Sequence, residues 1–181
     1  MASKQNVTVA KPKIAGAIYA APEGTTLPAD ATTALTADFV GFGYISEDGL
    51  TNAKSVTSIK AWGGDTVLMS SEETFKFTLI EALNPDVLKF AYGEGNVSDA
   101  DGALTILHRD VDMPTRVIVC DMLMTNGRKK RIVVPSASVS EVGEVKYTAT
   151  TAVGYETTVS AAGDGNGVSV YEHISAPAVS A

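Results

Sequence analysis

The chain has 181 residues, a formal net charge of −7 and 45% hydrophobic residues. That length suits one domain with a real core, about 70% of the unfolded chain's surface being buried on folding. The acidic balance argues against a protein that grips a phosphate backbone, because such binding relies on Lys and Arg releasing counterions.

Residues 1–13 are polar, with Lys4, Lys11, Pro12 and Lys13, and read as an N-terminal arm rather than core. They contain no apolar stretch of the kind a signal peptide needs. Residues 14–20 are strand-like. Residues 21–38, with Pro22, Gly24 and Pro28, read as a loop with a turn of helix near 30–35. Residues 39–45 form a strand, and Asp48-Gly49 is a turn signal that would end it.

Residues 50–71 alternate β-branched and polar side chains, but neither face is strongly apolar. A strand that cannot bury one face belongs at an edge, or projects and buries itself against another molecule. Gly63-Gly64 would turn it back, giving a long projecting hairpin or loop. Such an ordered segment loses about 1–2 kcal/mol of chain entropy per residue. The expected offset is contact with a neighbouring subunit, with Asp48, Lys54, Lys60, Trp62 and Asp65 as candidate contact residues. Trp62, the single tryptophan, reads equally as an interface anchor or as a packing anchor in its own subunit.

Residues 73–83 form the clearest strand, with Phe75, Phe77 and Leu79 on one face and Lys76 and Thr78 on the other. Asn84 is a helix N-cap, Pro85 suits the first helical position, and Asp86 favours the positive end of the helix. Val87, Leu88 and Ala91 then lie at helical spacing on a face that packs against the sheet, and Gly93 stops the helix. Residues 95–102 read as a loop, and 103–109 and 115–125 as strands. Asn126-Gly127 is a strong hairpin signal, and residues 128–134 return from it until Pro135 ends the strand. Further strands are expected within 139–153, at 154–160 and at 168–174, followed by a loose tail at 175–181. The whole reads as one mainly-β domain over 1–181, with no internal repeat. No apolar run approaches the ~20 residues of a membrane-spanning helix, so no membrane insertion of this chain is expected.

No motif carries catalytic chemistry. His108 and His173 lack partners at ligand spacing, so ordinary strand histidines outweigh a metal pair. Cys120 sits in the apolar run Val117–Cys120 and reads as a small buried hydrophobe, and a lone cysteine forms no intramolecular disulfide. Asp99-Ala100-Asp101-Gly102 and Gly163-Asp164-Gly165-Asn166-Gly167 lack the glycine and closing glutamate of a calcium loop and read as turns. Arg128-Lys129-Lys130-Arg131 has no interleaved aromatics, and a solvated or inter-subunit turn outweighs a nucleic-acid patch. No catalytic residue, cofactor site or metal site is expected, and the chain reads as no enzyme.

Several pieces occur in a telling order: Tyr19-Ala20-Ala21-Pro22-Glu23-Gly24-Thr25 with Leu27-Pro28, Gly43-Tyr44-Ile45-Ser46-Glu47-Asp48-Gly49, Ala61-Trp62-Gly63-Gly64-Asp65, the strand Glu73-Thr74-Phe75-Lys76-Phe77-Thr78-Leu79-Ile80-Glu81, and the helix after it. Together they resemble the major tail proteins of long-tailed, non-contractile bacteriophages, closely over residues 14–93 and in general character beyond. The resemblance implies a β-sandwich or barrel-like tail tube fold with one short flanking helix and a long projecting loop. It implies hexameric rings stacked into a tube that conducts DNA to the host cell without binding it specifically. The implied partners are further copies of the chain, a tape-measure protein, and terminator and baseplate proteins. The implied location is the virion tail, after assembly in the bacterial cytoplasm. Some proteins of this type add a C-terminal immunoglobulin-like domain, for which no segment is expected here. The alternative is a phage or bacterial β-sandwich decoration or adhesin-like module that binds a shell or a surface glycan. A hydrolase ranks third, because an acid/base pair is missing.

Overall fold

The computed structural model describes residues 4–14 and 16–177. Eleven strands and one α-helix follow in chain order: β1 (Ala10–Pro12), β2 (Ile18–Pro22), β3 (Val40–Gly41), β4 (Ile45–Lys60), β5 (Thr66–Leu79), α1 (Pro85–Tyr92), β6 (Val97–Ala100), β7 (Ala103–Ile106), β8 (Arg116–Met124), β9 (Lys129–Val142), β10 (Tyr155–Ala162) and β11 (Tyr171–Ile174). Single 3-10 turns lie at Lys4–Asn6 and Glu94–Asn96.

The main sheet is antiparallel, in the order β3-β2-β8-β9-β10-β5-β4, and β6 and β7 pair separately. The two central strands each serve two partners in succession. β8 pairs with β2 over Arg116 to Cys120 and with β1 over Met122 to Met124. β9 pairs with β11 over Lys130 to Val133 and with β10 over Ser136 to Val142. Pro135 sits at the changeover. Across it the register moves from Ile118↔Val134 to Arg116↔Ala137, so β9 carries one extra residue. Pro135 therefore marks a bulge and does not end the strand, since a residue without an N–H loses nothing where the ladder is already interrupted.

The two ends of the strand order are joined through the chain itself. Phe42 N donates to Ile18 O at 3.1 Å and Gly16 N to Gly43 O at 3.1 Å, tying this segment to β2. Ile80 N donates to Tyr44 O at 3.2 Å, and Ile45 lies opposite Leu79, tying the next residues to β5. The strands thus wrap into a barrel-like body, closed through residues 42–45, while β4 beyond Leu50 keeps β5 as its one strand partner among the described residues. Gly43 makes the crossing possible. Its φ is +68°, and a Cβ there would collide with the Glu81 carboxylate. That carboxylate accepts from Tyr44 N and Asn84 Nδ2, both at 3.0 Å.

The interior follows the period-two pattern of β5, where Phe75, Phe77 and Leu79 are buried. Asn84 Oδ1 accepts from Asp86 N at 3.0 Å, Pro85 opens α1, and Gly93 N donates to Lys89 O. Val87, Leu88, Phe90 and Ala91 are buried. Phe90 packs its ring 4.5 Å from Phe42 and 6.3 Å from Phe77. Full burial of each larger side chain contributes about 1.5–3 kcal/mol. A second cluster covers the other face of β2, β8 and β9, where Leu27, Leu35 and Phe39 pack over Ala21, Val117, Val119 and Val133. With both faces covered, β8 reads as an unbroken apolar run.

Four further sequence expectations are corrected. Residues 10–12 of the N-terminal arm join the sheet as β1, and the strand expected at 14–20 is shifted to Ile18–Pro22. Asp48-Gly49 does not end a strand: β4 runs through it, and residues 46–49 bulge out as the register jumps from Ile45↔Leu79 to Leu50↔Phe77. The loop expected at 95–102 holds β6, which turns into β7 through Asp101 and Gly102 at φ 53° and 84°. Two consecutive residues at positive φ match the right-handed twist of a tight hairpin.

Candidate assembly surface

The projecting segment is a hairpin that outruns its own sheet. β10 accompanies β5 only from Leu79 to Glu73. Beyond that, from Ser55↔Glu72 to Lys60↔Thr66, β4 and β5 have only each other. At ~3.3 Å per residue this free part reaches roughly 20 Å. Ala61 N donates to Asp65 O at 2.7 Å and closes the tip, where Gly63 and Gly64 adopt φ of +110° and +99°.

The hairpin exposes apolar side chains among polar ones, and from residue 55 to residue 72 its strands pair with no other strand among the described residues. Trp62 is fully exposed and packs on none of the described residues, and Val56, Ile59, Val67, Leu68 and Met69 are about half exposed or more. Between residues 55 and 71 the only charges are Lys60 and Asp65. An isolated two-stranded hairpin is marginal in water at best. Exposed apolar residues concentrated on one element mark a contact surface.

The candidate contact residues fall in three places. Lys60, Trp62 and Asp65 gather at the tip. Lys54 lies at the root, facing Glu73 with its Nζ 3.6 Å from the carboxylate. Glu73 also accepts from Ser169 Oγ at 2.9 Å and Asn52 Nδ2 at 3.2 Å, so this cluster orients the root. The Lys54 pair is half exposed and contributes little stability by itself. Asp48 sits apart in the bulge, accepting from Ser46 Oγ at 3.4 Å, in a groove that it shares with residues 10–14.

The remaining candidate sites have structural occupations. Asp164 accepts from Tyr171 Oη at 2.6 Å, Asn166 N at 2.8 Å and Val168 N at 3.0 Å, which makes the glycine-rich stretch a turn. The Tyr171 hydroxyl, followed by the Val168 N–H, holds its carboxyl below the usual range. Asp99 Oδ1 accepts from Gly102 N at 3.0 Å in the β6–β7 turn. His108 meets the Tyr92 ring edge-on at 4.9 Å, and His173 lies opposite Arg131. Cys120 is buried, and burial, with the Asp121 charge behind it, pushes its thiol up to about 12. Among the described residues no three His, Cys, Asp or Glu side chains cluster as metal ligands.

Arg131 corrects the reading of the basic cluster as solvated. It is 4% exposed, and its guanidinium donates to both Asp121 carboxylate oxygens and to the carbonyls of Asp30 and Thr33. It shares a sheet face with the exposed Lys129, and only the loop folded over it from residues 30–35 distinguishes the two.

A barrel-like β subunit that projects a hairpin with exposed apolar side chains is an assembly protein. The family profile described as Phage tail tube protein matches residues 1–180, and the chain belongs to that family. It is a structural component of a bacteriophage tail, built to assemble into a tube with copies of itself. No curated relative matches the chain. No helix among the described residues is long and apolar enough to cross a membrane.

Proposed function

We propose that the protein forms hexameric rings, that the rings stack into the tail tube, and that DNA passes through the tube to the host cell without specific binding. The observation that carries this reading is the free hairpin. Its exposed apolar side chains meet no other strand among the described residues, and the chain belongs to a family of tube subunits. The hairpin tip, with Lys60, Trp62 and Asp65, meets a subunit of the neighbouring ring, and Lys54 at its root and Asp48 in the bulge add further contacts between subunits. The net charge of −7 suits a conduit that must release phosphate rather than hold it. Assembly takes place in the host cytoplasm, with a tape-measure protein setting the length and terminator and baseplate proteins closing the ends.

Negative-stain microscopy and native mass measurement of the purified chain test this. Long tubes of uniform width and a six-copy ring species are expected. Discrete small particles at every concentration and salt would instead fit a decoration or adhesin-like module.

A further inference from the structure

The charges are divided between the two ends of β8. At its far end, Lys11 of β1, Leu123 of β8 and Lys129 of β9 stand in one register row, so their side chains share a face. Lys13 follows two residues on, with its N–H on Asp121 O at 2.9 Å. Lys11, Lys13 and Lys129 are exposed, and Leu123 between them is 53% exposed. Lys13, Leu123 and Lys129 border a cleft of about 390 Å³ floored by Arg131 and Asp121, whose charges are spent on each other. The result is an apolar centre rimmed by cations that make no ion pair among the described residues.

At the starting end of β8 lies the opposite arrangement. Residues 94–112 carry Glu94, Asp99, Asp101, Asp110 and Asp112 against a single cation, Arg109. Glu94 is taken by Arg116 at 2.6 Å, while none of the four aspartates makes an ion pair among the described residues. Asp110 and Asp112 are exposed and flank Val111, itself 44% exposed. β8 spans roughly 26 Å from end to end, and the acidic segment stops four residues before its start. Direction also matters. β5 and β9 both pair antiparallel with β10, so they run the same way. The hairpin tip and the basic face therefore point toward the same end of the subunit.

We infer that the Lys11–Leu123–Lys129 face docks the Asp110-Val111-Asp112 segment of a second copy of this chain, the copy that the hairpin also reaches. The two patches match in charge and in their apolar centres, one standing at the end of β8 and the other in the segment that leads into its start. Such a pair makes a heterologous, head-to-tail contact that repeats without limit. It also fixes the polarity of stacking, since reversing a subunit would set like charges against each other. This contact rests on the tube reading and adds its second attachment point.

The test uses the full chain and two charge reversals, Lys11→Glu with Lys129→Glu and Asp110→Lys with Asp112→Lys. All four positions are exposed, so each variant is expected to melt like the wild type. Each alone is expected to lose tube formation by more than about tenfold, because like charges then face each other across the contact. An equimolar mixture of the two is expected to restore tubes of wild-type width, since each reversed face then meets an opposite charge. If a reversal misfolds, Lys11→Gln with Lys129→Gln and Asp110→Asn with Asp112→Asn replace it, and each is expected to shorten the tubes. Normal tubes from either variant alone, or none from the mixture, would overturn the contact. Intact tubes with loss of duplex DNA binding in the lysine variant would overturn it too, by assigning the patch to phosphate. No tubes from wild type on the same grids would sink the tube reading and this contact with it; tubes from wild type and reversals alike would sink only the contact.

Discussion

Asp121 and Arg131 stand directly opposite each other on β8 and β9 and meet through two parallel hydrogen bonds of 2.7 and 2.9 Å. The remaining guanidinium nitrogen donates to Thr33 O at 2.7 Å and to Asp30 O at 3.2 Å, so one side chain ties two strands to the loop covering them. Breaking a buried pair by removing one partner leaves an uncompensated charge and costs about 3–5 kcal/mol. Arg131→Ala is expected to lower unfolding stability by that amount in urea titration. Asp121→Ala combined with it is expected to cost less than the sum of the two single changes.

The same loop gives a pH signature. The Thr33 and Thr32 N–H groups, both 2.6 Å from Asp30 Oδ1, hold the Asp30 carboxyl well below its ordinary value of 3.8. A depressed carboxylate stabilises in full above that ordinary value, and its contribution is lost as pH falls toward the lower folded value. Asp30→Asn is therefore expected to melt below the wild type at pH 7, with the gap closing below about pH 4. A gap that stays constant from pH 7 to pH 2 would contradict this role.

α1 is expected to hold the barrel through its buried face. Leu88 is 1% exposed, and truncating a buried leucine costs about 2–5 kcal/mol. Thermal melts of Leu88→Ala should fall accordingly; an unchanged midpoint would mean that this face is not what closes the core.

Cys120 offers a probe of the body's integrity. Its burial and raised thiol predict that a thiol reagent labels native protein only through unfolding. Labelling as fast as that of a small-molecule thiol would contradict the position given to β8.

What could be read beforehand was local. The alternation in β5 and the Asn84-Pro85-Asp86 start of α1 each signal through near neighbours in sequence. The free hairpin was legible because residues 50–71 have β-branched content without an apolar face. What long-range contact decides was not legible. Pro135 and Asp48-Gly49 look like terminators, but partner strands carry β9 and β4 through both as bulges. Phe90 lies off the expected helix face and is buried by Phe42, from 48 positions earlier. Arg131 looks like Lys129 in sequence, and only the distant 30–33 loop separates a buried anchor from an exposed lysine. The closure of the strands through residues 40–45 likewise depends on β2 and β5 arriving from both sides.

The central claim, that the free hairpin joins subunits into a tube, is tested by shortening it. Val56 and Ser71 lie opposite each other, so replacing residues 57–70 with Asn-Gly should leave a closed two-residue turn and an intact body. Negative-stain micrographs of this variant beside the wild type are expected to show folded subunits or rings but no long tubes. Long tubes of wild-type width from the shortened chain would contradict the claim.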